Sequence, residues 1–204
     1  MHPSPYFKMT SEDAIAFAAT SGVGHLTTVV DSRVESVVVP FIVESNNGNS
    51  TILGHVAVGN RQRASIDTQS DALLIVHGPV GYVSPSLYPT KTETGKVVPT
   101  LNYVSVHLRG VLRPIIEPDE FRALLARLTN RFESAYGSSW TIDDAPDDFI
   151  RTQMRAIVGF ALCVTDVQGV SKVSQNRVDV DRNAVREAFR VGTEEQQVIA
   201  HRMM

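Results

Sequence analysis

Four groups of residues have the types and spacing to do chemistry. Three are Gly54-His55-Val56-Ala57-Val58-Gly59-Asn60, Gly78-Pro79-Val80-Gly81-Tyr82-Val83-Ser84-Pro85-Ser86-Leu87-Tyr88 and Val98-Pro99-Thr100-Leu101-Asn102-Tyr103. Each sets glycines, hydroxyls, amides or tyrosines beside apolar runs. Pockets are mainly apolar with a few placed polar groups, so this mixture suits a flat ligand with a polar tail. The fourth group is Val170-Ser171-Lys172-Val173-Ser174-Gln175-Asn176-Arg177. Its two cations can neutralise a phosphate while hydroxyls and amides fix its orientation. Each group also has a plainer reading. Gly, Pro, Ser and Asn dominate turns for conformational reasons, and Lys172–Arg177 also fits a solvated loop after a last strand.

Conventional catalytic signatures are missing from the sequence. There is no Gly-x-x-x-x-Gly-Lys-Ser/Thr loop, no strand-borne Gly-x-Gly-x-x-Gly, no His-Glu-x-x-His and no Gly-x-Ser-x-Gly elbow. Cys163, the sole cysteine, excludes an internal disulfide and reads as a buried, inert thiol within a strand. His25, His55, His77 and His107 fall in predicted strands without local metal-ligand spacing, so no metal site is expected. His55 stands out because Gly54 lets another group approach the backbone. A core histidine satisfied by a carbonyl is the competing reading.

The elements that must position these groups are mostly strands. Helical periodicity predicts a short amphipathic helix over Thr10–Thr20, capped by Thr10 or Ser11 and stopped at Gly22. β-Branched runs then predict strands at 25–30, 36–43 and 51–57, with an Asn-Gly turn within 45–50. A partly helical connection covers 60–70. Ala72–Gly78 reads as a central strand extended through 80–84 after a kink at Pro79. Ser86–Val98 is a long irregular excursion, and Leu101–Pro114 a strand with a bulge at Gly110. Phe121, Leu124, Leu125, Leu128, Phe132 and Ala135 mark a helix from Pro118 to Gly137, with a shorter one over Asp147–Arg155. Ile157–Val167 is one more strand, and Asp181 caps a final helix through Val185 and Phe189. Strands at hairpin spacing without βαβ alternation predict an α+β fold built on an antiparallel barrel or sandwich.

Composition narrows the class. The chain has 204 residues, enough for one domain with a sizeable core. A net charge of −3, from 19 basic and 22 acidic residues, argues against a protein that coats nucleic acid. No apolar run approaches the ~20 residues of a bilayer span, and Met1–Lys8 lacks the features of a signal peptide, so a soluble cytoplasmic protein is expected.

Taken in order, the four groups resemble the PaiB-type family, FMN-binding negative transcriptional regulators with a split β-barrel related to pyridoxamine-phosphate oxidases. The matching stretches are Pro40-Phe41, Gly54-His55-x-Ala57-x-x-Asn60 and Gly78-Pro79-x-x-Tyr82-x-Ser84-Pro85-Ser86-x-Tyr88. They continue with Val98-Pro99-Thr100-x-Asn102-Tyr103, Ile157-Val158-Gly159-Phe160 and Lys172-x-Ser174-Gln175-Asn176-Arg177. The resemblance implies an antiparallel split β-barrel with peripheral helices, one domain over 1–204. Within it 1–116 supply the first strands, 117–155 a helical insertion, and 156–204 the last strand, ligand loop and C-terminal helices. It also implies a homodimer with FMN, a small planar ligand, in a cleft at the subunit interface. The residues implied in cofactor binding are His55, Asn60, Ser84, Tyr88, Thr100, Asn102, Tyr103, Lys172, Gln175 and Asn176.

The chain departs from the family pattern where an arginine is usual at Val58 and tryptophans are usual at Leu87 and Leu101. Arg61 and Arg63 are the nearest replacements for the lost guanidinium. Three functions follow as alternatives: a flavin-binding regulator, a small flavin-dependent oxidoreductase, or a divergent barrel for another planar ligand (haem, a deazaflavin) or none. No basic recognition helix is evident, so weak or absent direct DNA binding is expected. Arg122, Arg127 and Arg131 read as a solvated face of the 118–136 helix.

Overall fold

The β-branched runs fold as long antiparallel strands. A computed structural model describes residues 4–46 and 48–203; Met1–Pro3 and the central Asn47 of the expected Asn-Gly turn lie outside the described residues. The strands are β1 (Val23–Val30), β2 (Arg33–Asn46), β3 (Asn49–Ala57), β4 (Asp71–Val83), β5 (Thr100–Ile115) and β6 (Ile157–Lys172). They close into a barrel in the order β1-β2-β3-β6-β5-β4. Pairing is antiparallel, with Val29 opposite Val34, Phe41 opposite Gly54 and His55 opposite Gly159. This is the expected α+β architecture. β4 runs unbroken through Pro79, where a kink was expected, and β6 extends five residues past the predicted end to reach Lys172.

The helices are α1 (Ser11–Ser21), α2 (Gln62–Asp67), α3 (Lys91–Thr94), α4 (Pro118–Tyr136), α5 (Asp147–Met154), α6 (Asp179–Arg190) and α7 (Glu194–Arg202). Thr10 Oγ1 accepts from the Asp13 amide at 3.0 Å and opens α1, and Gly22 at φ +66° ends it. α4 begins on Pro118 and stops at Gly137, whose φ of +83° suits a residue without Cβ. Val178, not Asp181, sits at the N-cap of α6; Asp181 lies inside the first turn, buried, with its carboxylate engaged elsewhere. α7 opens on a capping box in which Thr193 and Gln196 satisfy each other's backbone amides.

Packing divides the chain into two compact units. One comprises Ile15–Val76 and His107–Val167. Here Leu26, Phe41, Ile52, Leu74, Leu108 and Leu162 are fully buried. On the opposite side of β2 and β3, the α4 stripe of Phe121, Leu124 and Leu128 packs on Ile42 and Leu53. The arginines of α4 keep access to solvent, Arg127 most of all, and each also has a partner within this unit. Arg122 donates to Asp143 at 2.7 Å, Arg127 pairs with Glu44, and Arg131 donates to the Thr20 carbonyl at 2.8 Å, capping α1. Cys163 is half-buried, not buried as expected.

The other unit comprises Met1–Ala14, His77–Val106 and Gln168–Met204. Its core joins Val83, Tyr88 and Val173 to Val185 and Phe189 of α6 and Ile199 of α7. Among the described residues no helix is long and apolar enough to cross a membrane.

The glycine of β5 serves close strand approach. A Cβ on Gly110 would stand 2.0 Å from the Cys163 carbonyl oxygen, a backbone atom that cannot turn aside. We therefore expect Gly110→Ala to destabilise the fold by about 1–3 kcal/mol through overpacking, read as a lowered urea midpoint. A midpoint equal to that of the parent protein would contradict this packing.

Candidate functional site

The end of β6 and the start of β5 bring two cations and several hydroxyls and amides together. Lys172, the last residue of β6, donates from Nζ to Thr100 Oγ1 at 2.5 Å. The same ammonium lies 5.6 Å from the centroid of the Phe7 ring. The Arg177 guanidinium stacks 4.6 Å above the Tyr88 ring. Among the described residues neither Lys172 nor Arg177 has a carboxylate within ion-pair distance. Desolvation first, and the charge of Arg177 second, lower the Lys172 pKa below its ordinary value. Such a corner is short of negative charge.

The loop beyond Lys172 is fixed by its own side chains. Asn102 is fully buried; it donates to Ser174 Oγ at 2.9 Å and its carbonyl oxygen lies 3.2 Å from the same hydroxyl. This pair holds Ser174 at φ +62°, a conformation costly for a residue with a side chain. Gln175 folds back, accepting from the Val173 amide at 2.7 Å and donating to the Ser171 carbonyl. The resulting turn presents exposed Asn176 and half-buried Arg177. Thus Asn102 and Gln175 shape the loop, while Thr100, Lys172 and Arg177 supply its chemistry.

The irregular excursion is also ordered. Ser84 Oγ accepts from the Ser86 amide at 3.2 Å and caps a 3-10 turn over Pro85–Leu87. Tyr88 follows, 2% exposed, and its Oη has no hydrogen-bond partner among the described residues. Thr90 then donates to Asp181 twice, from its amide at 3.2 Å and its hydroxyl at 2.8 Å. The Tyr88 phenol, buried without an acceptor and with Arg177 stacked on its ring, and the Lys172 ammonium on Thr100 fit a ligand that brings acceptor oxygens. The residues present therefore suit the phosphate-bearing tail expected of FMN. Tyr103 is half-buried on β5.

His55 and Asn60 belong to the other unit. Gly54 does admit a close neighbour, the Phe160 ring and the Pro40 carbonyl, each 2.8 Å from where its Cβ would be. Across the pair from His55, Gly159 lies directly under the Phe121 ring of α4. Asn60 Oδ1 accepts from the Gln62 amide at 3.1 Å and opens α2. Arg61 and Arg63 are not free replacements for the missing arginine. Arg61 pairs with Glu35 at 2.8 Å and Asp31 at 3.2 Å, and Arg63 with Asp67 at 3.4 Å. A cavity of about 440 Å³ in this unit, lined by Thr28, Leu73, Arg109 and Asp166 among others, contains none of the residues singled out from sequence. No three His, Cys, Asp or Glu side chains among the described residues are grouped to hold a metal ion.

Sequence reading gave no role here to Phe7 or Thr90, and gave Asp181 a different one, as a helix cap. All three act across long chain separations. Arg177 was visible as a cation, but its place over Tyr88 depends on the fold.

Burial lowers the pKa of His55 from its ordinary 6.5, so the folded protein keeps the imidazole neutral. Between that lowered pKa and 6.5 the unfolded chain binds the additional proton, and stability falls as pH falls through this window. Urea midpoints measured from pH 7 to pH 5 should therefore drop more for the parent protein than for His55→Gln. Equal drops would show that His55 is as readily protonated folded as unfolded.

Residues 1–166 match the family described as "Putative FMN-binding domain". The chain is 29% identical over 182 residues to protease synthase and sporulation protein PAI 2 of Bacillus subtilis, covering 89% of this chain and 85% of the relative. An uncharacterised protein of Aspergillus fumigatus is 30% identical over 225 residues, covering 87% and 86%. Among solved structures, the FAD and haem binding protein of Mycobacterium smegmatis superposes with a TM-score of 0.57 at 17% identity, covering 80% of this chain and 71% of that one. The flavocytochrome Anf3 of Azotobacter vinelandii gives 0.54 at 15% identity, covering 84% and 72%. At such identities the structural likeness speaks for the fold, and the match over residues 1–166 speaks for the family: the chain belongs to the FMN-binding domain family, whose cofactor is FMN.

Proposed function

We propose that the chain holds FMN with its phosphate at the Lys172–Thr100–Arg177 corner and serves as a flavin-binding regulator of the PaiB type. The observation that carries this reading is the pair of cations without a counter-ion beside a buried, unpartnered Tyr88 hydroxyl. Lys172 brings a point charge and Arg177 a planar fork, a complementary pair for phosphate oxygens. Thr100 steadies the ammonium, and the Asn102–Ser174 pair fixes the turn that carries Arg177. The buried Tyr88 hydroxyl has no hydrogen-bond partner among the described residues and calls for an acceptor. Bound flavin supplies reversible redox chemistry. Ser84 and Asn176 flank the same stretches of chain, whereas His55 and Asn60 enter this reading as framework in the other unit.

A regulatory role is supported by the family resemblance and by the name of the Bacillus relative. Direct grip on DNA is not part of it, because the three arginines of α4 are engaged by Asp143, Glu44 and the Thr20 carbonyl. Two of the similar structures are described as haem-binding or as a flavocytochrome, so haem is the competing planar ligand.

The outer face of β1 and β2 supports the homodimer that the resemblance implies. Val23, Val29, Val34 and Val38 point away from the buried side and are 40%, 61%, 74% and 57% exposed. Val29 faces Val34 and Val38 faces His25 across the pair, with the hydrogen-bonded Thr27 and Ser36 between these rungs, so exposed valines flank a small polar patch. Monomers seldom leave such a face in water. A second copy of the chain is the occupant we assign to it.

Two measurements test these readings. FMN titration, followed by quenching of flavin fluorescence, should saturate with the parent protein and weaken roughly ten- to hundredfold in Lys172→Gln, the cost of one charge-assisted hydrogen bond. Unchanged affinity would remove the phosphate from this corner, and tighter binding of haem than of FMN would remove FMN. Sedimentation should give twice the 22.3 kDa chain mass, and Val34→Lys with Val38→Lys should reduce it to the chain mass. A parent protein that sediments as a single chain would sink the dimer.

A further inference from the structure

The C-terminal helices carry a second concentration of cations that the FMN reading leaves unused. Arg182, Arg186 and Arg190 recur every four residues on α6 and so share one face. Between α6 and α7 lies a cleft of about 410 Å³ lined by Arg186, Arg190, Gln197, Ala200 and His201. That volume falls within the range of small-molecule pockets. The wall is fixed from behind, because Val185 and Phe189 of α6 pack with Ile199 of α7 in the core.

Charge in this cleft is poorly balanced. None of its lining residues is a carboxylate. Glu187 is the acid within reach of Arg186 Nε and of Arg190 Nη1, which meets both its oxygens, each contact at 3.5 Å, so one carboxylate is shared by two guanidinium groups. One turn earlier Arg182 meets Asp179 only at 3.9 Å, and its Nε is buried without an acceptor.

We propose that this cleft is a second anion site, which binds the phosphate group of a small phosphate monoester. Arg186 and Arg190 present two guanidinium forks, whose several N–H donors match the three oxygens and double charge of a monoester. Gln197 adds an amide and His201 an imidazole at the same wall, and Ala200 leaves room for an organic group. A nucleic acid is the poorer fit. Asp179, Glu187, Glu194 and Glu195 stand on the same two helices, and residues 169–204 carry six Lys and Arg against five Asp and Glu. An extended polyanion meets those acids, whereas a single phosphate enters the cleft alone.

The test uses the full chain saturated with FMN, so that the Lys172 corner does not compete, and is repeated without FMN. Calorimetric titration with glycerol 3-phosphate should give saturable binding of one per chain that weakens with added salt. Arg186→Gln with Arg190→Gln should weaken it at least tenfold while the urea midpoint and FMN affinity hold. Arg186→Lys with Arg190→Lys, which keeps the charge but removes the forks, should fall between. Absence of saturable binding, equal binding by the Gln pair, or binding of inorganic phosphate without the ester would overturn the proposal. So would duplex DNA binding more tightly per phosphate than the ester.

Discussion

Asn102 and Ser174 meet seventy-two positions apart, both out of water, and satisfy each other through two hydrogen bonds. In a low-dielectric interior such a pair is stronger than at the surface, and either member alone would be a buried liability. It ties the first residues of β5 to the loop that leaves β6. It also holds Ser174 in the left-handed region, which turns the chain so that Arg177 comes over Tyr88. Gln175, which folds back on Val173 and Ser171, adds a second clamp to the same loop. Neutral groups thus place the charged Lys172 and Arg177.

The two units handle arginine in contrasting ways. In the unit containing α4, Arg122, Arg127 and Arg109 each hold a carboxylate, Arg61 holds two, and Arg131 donates to the Thr20 carbonyl. These side chains tie elements together. In the other unit Arg177 lies on an aromatic face, and Arg186 and Arg190 both reach Glu187 at 3.5 Å. Local charge balance, rather than the overall excess of three negative charges, separates structural from ligand-seeking cations here.

Much of this was legible in the chain because the signals are local. Alternation gave the strands, since a half-buried sheet demands period two, and the Phe121-Leu124-Leu128 spacing gave α4. The recurring Ser-Pro-Ser, Val-Pro-Thr and Ser-Gln-Asn stretches pointed to the family. What failed was tertiary. Asp181 looks like a cap by its position before an amphipathic run, but its carboxylate is claimed by Thr90, ninety-one residues away. The extension of β4 beyond Pro79 was read correctly, although the strand there is continuous. Gly54 before His55 suggests a ligand's approach, and the neighbour proves to be Phe160. The Thr193-x-x-Gln196 capping box is a local signal for α7 that could have been read and was not.

The two hydrogen bonds from Thr90 to Asp181 fasten the excursion after β4 to the first turn of α6, ninety-one residues along the chain. Tyr88 takes its apolar partners Phe189 and Ile199 from α6 and α7, whereas its stacking cation Arg177 stands on the turn before them. The excursion is therefore held by helices that follow it in the chain, and its order depends on their packing rather than on the strand it leaves.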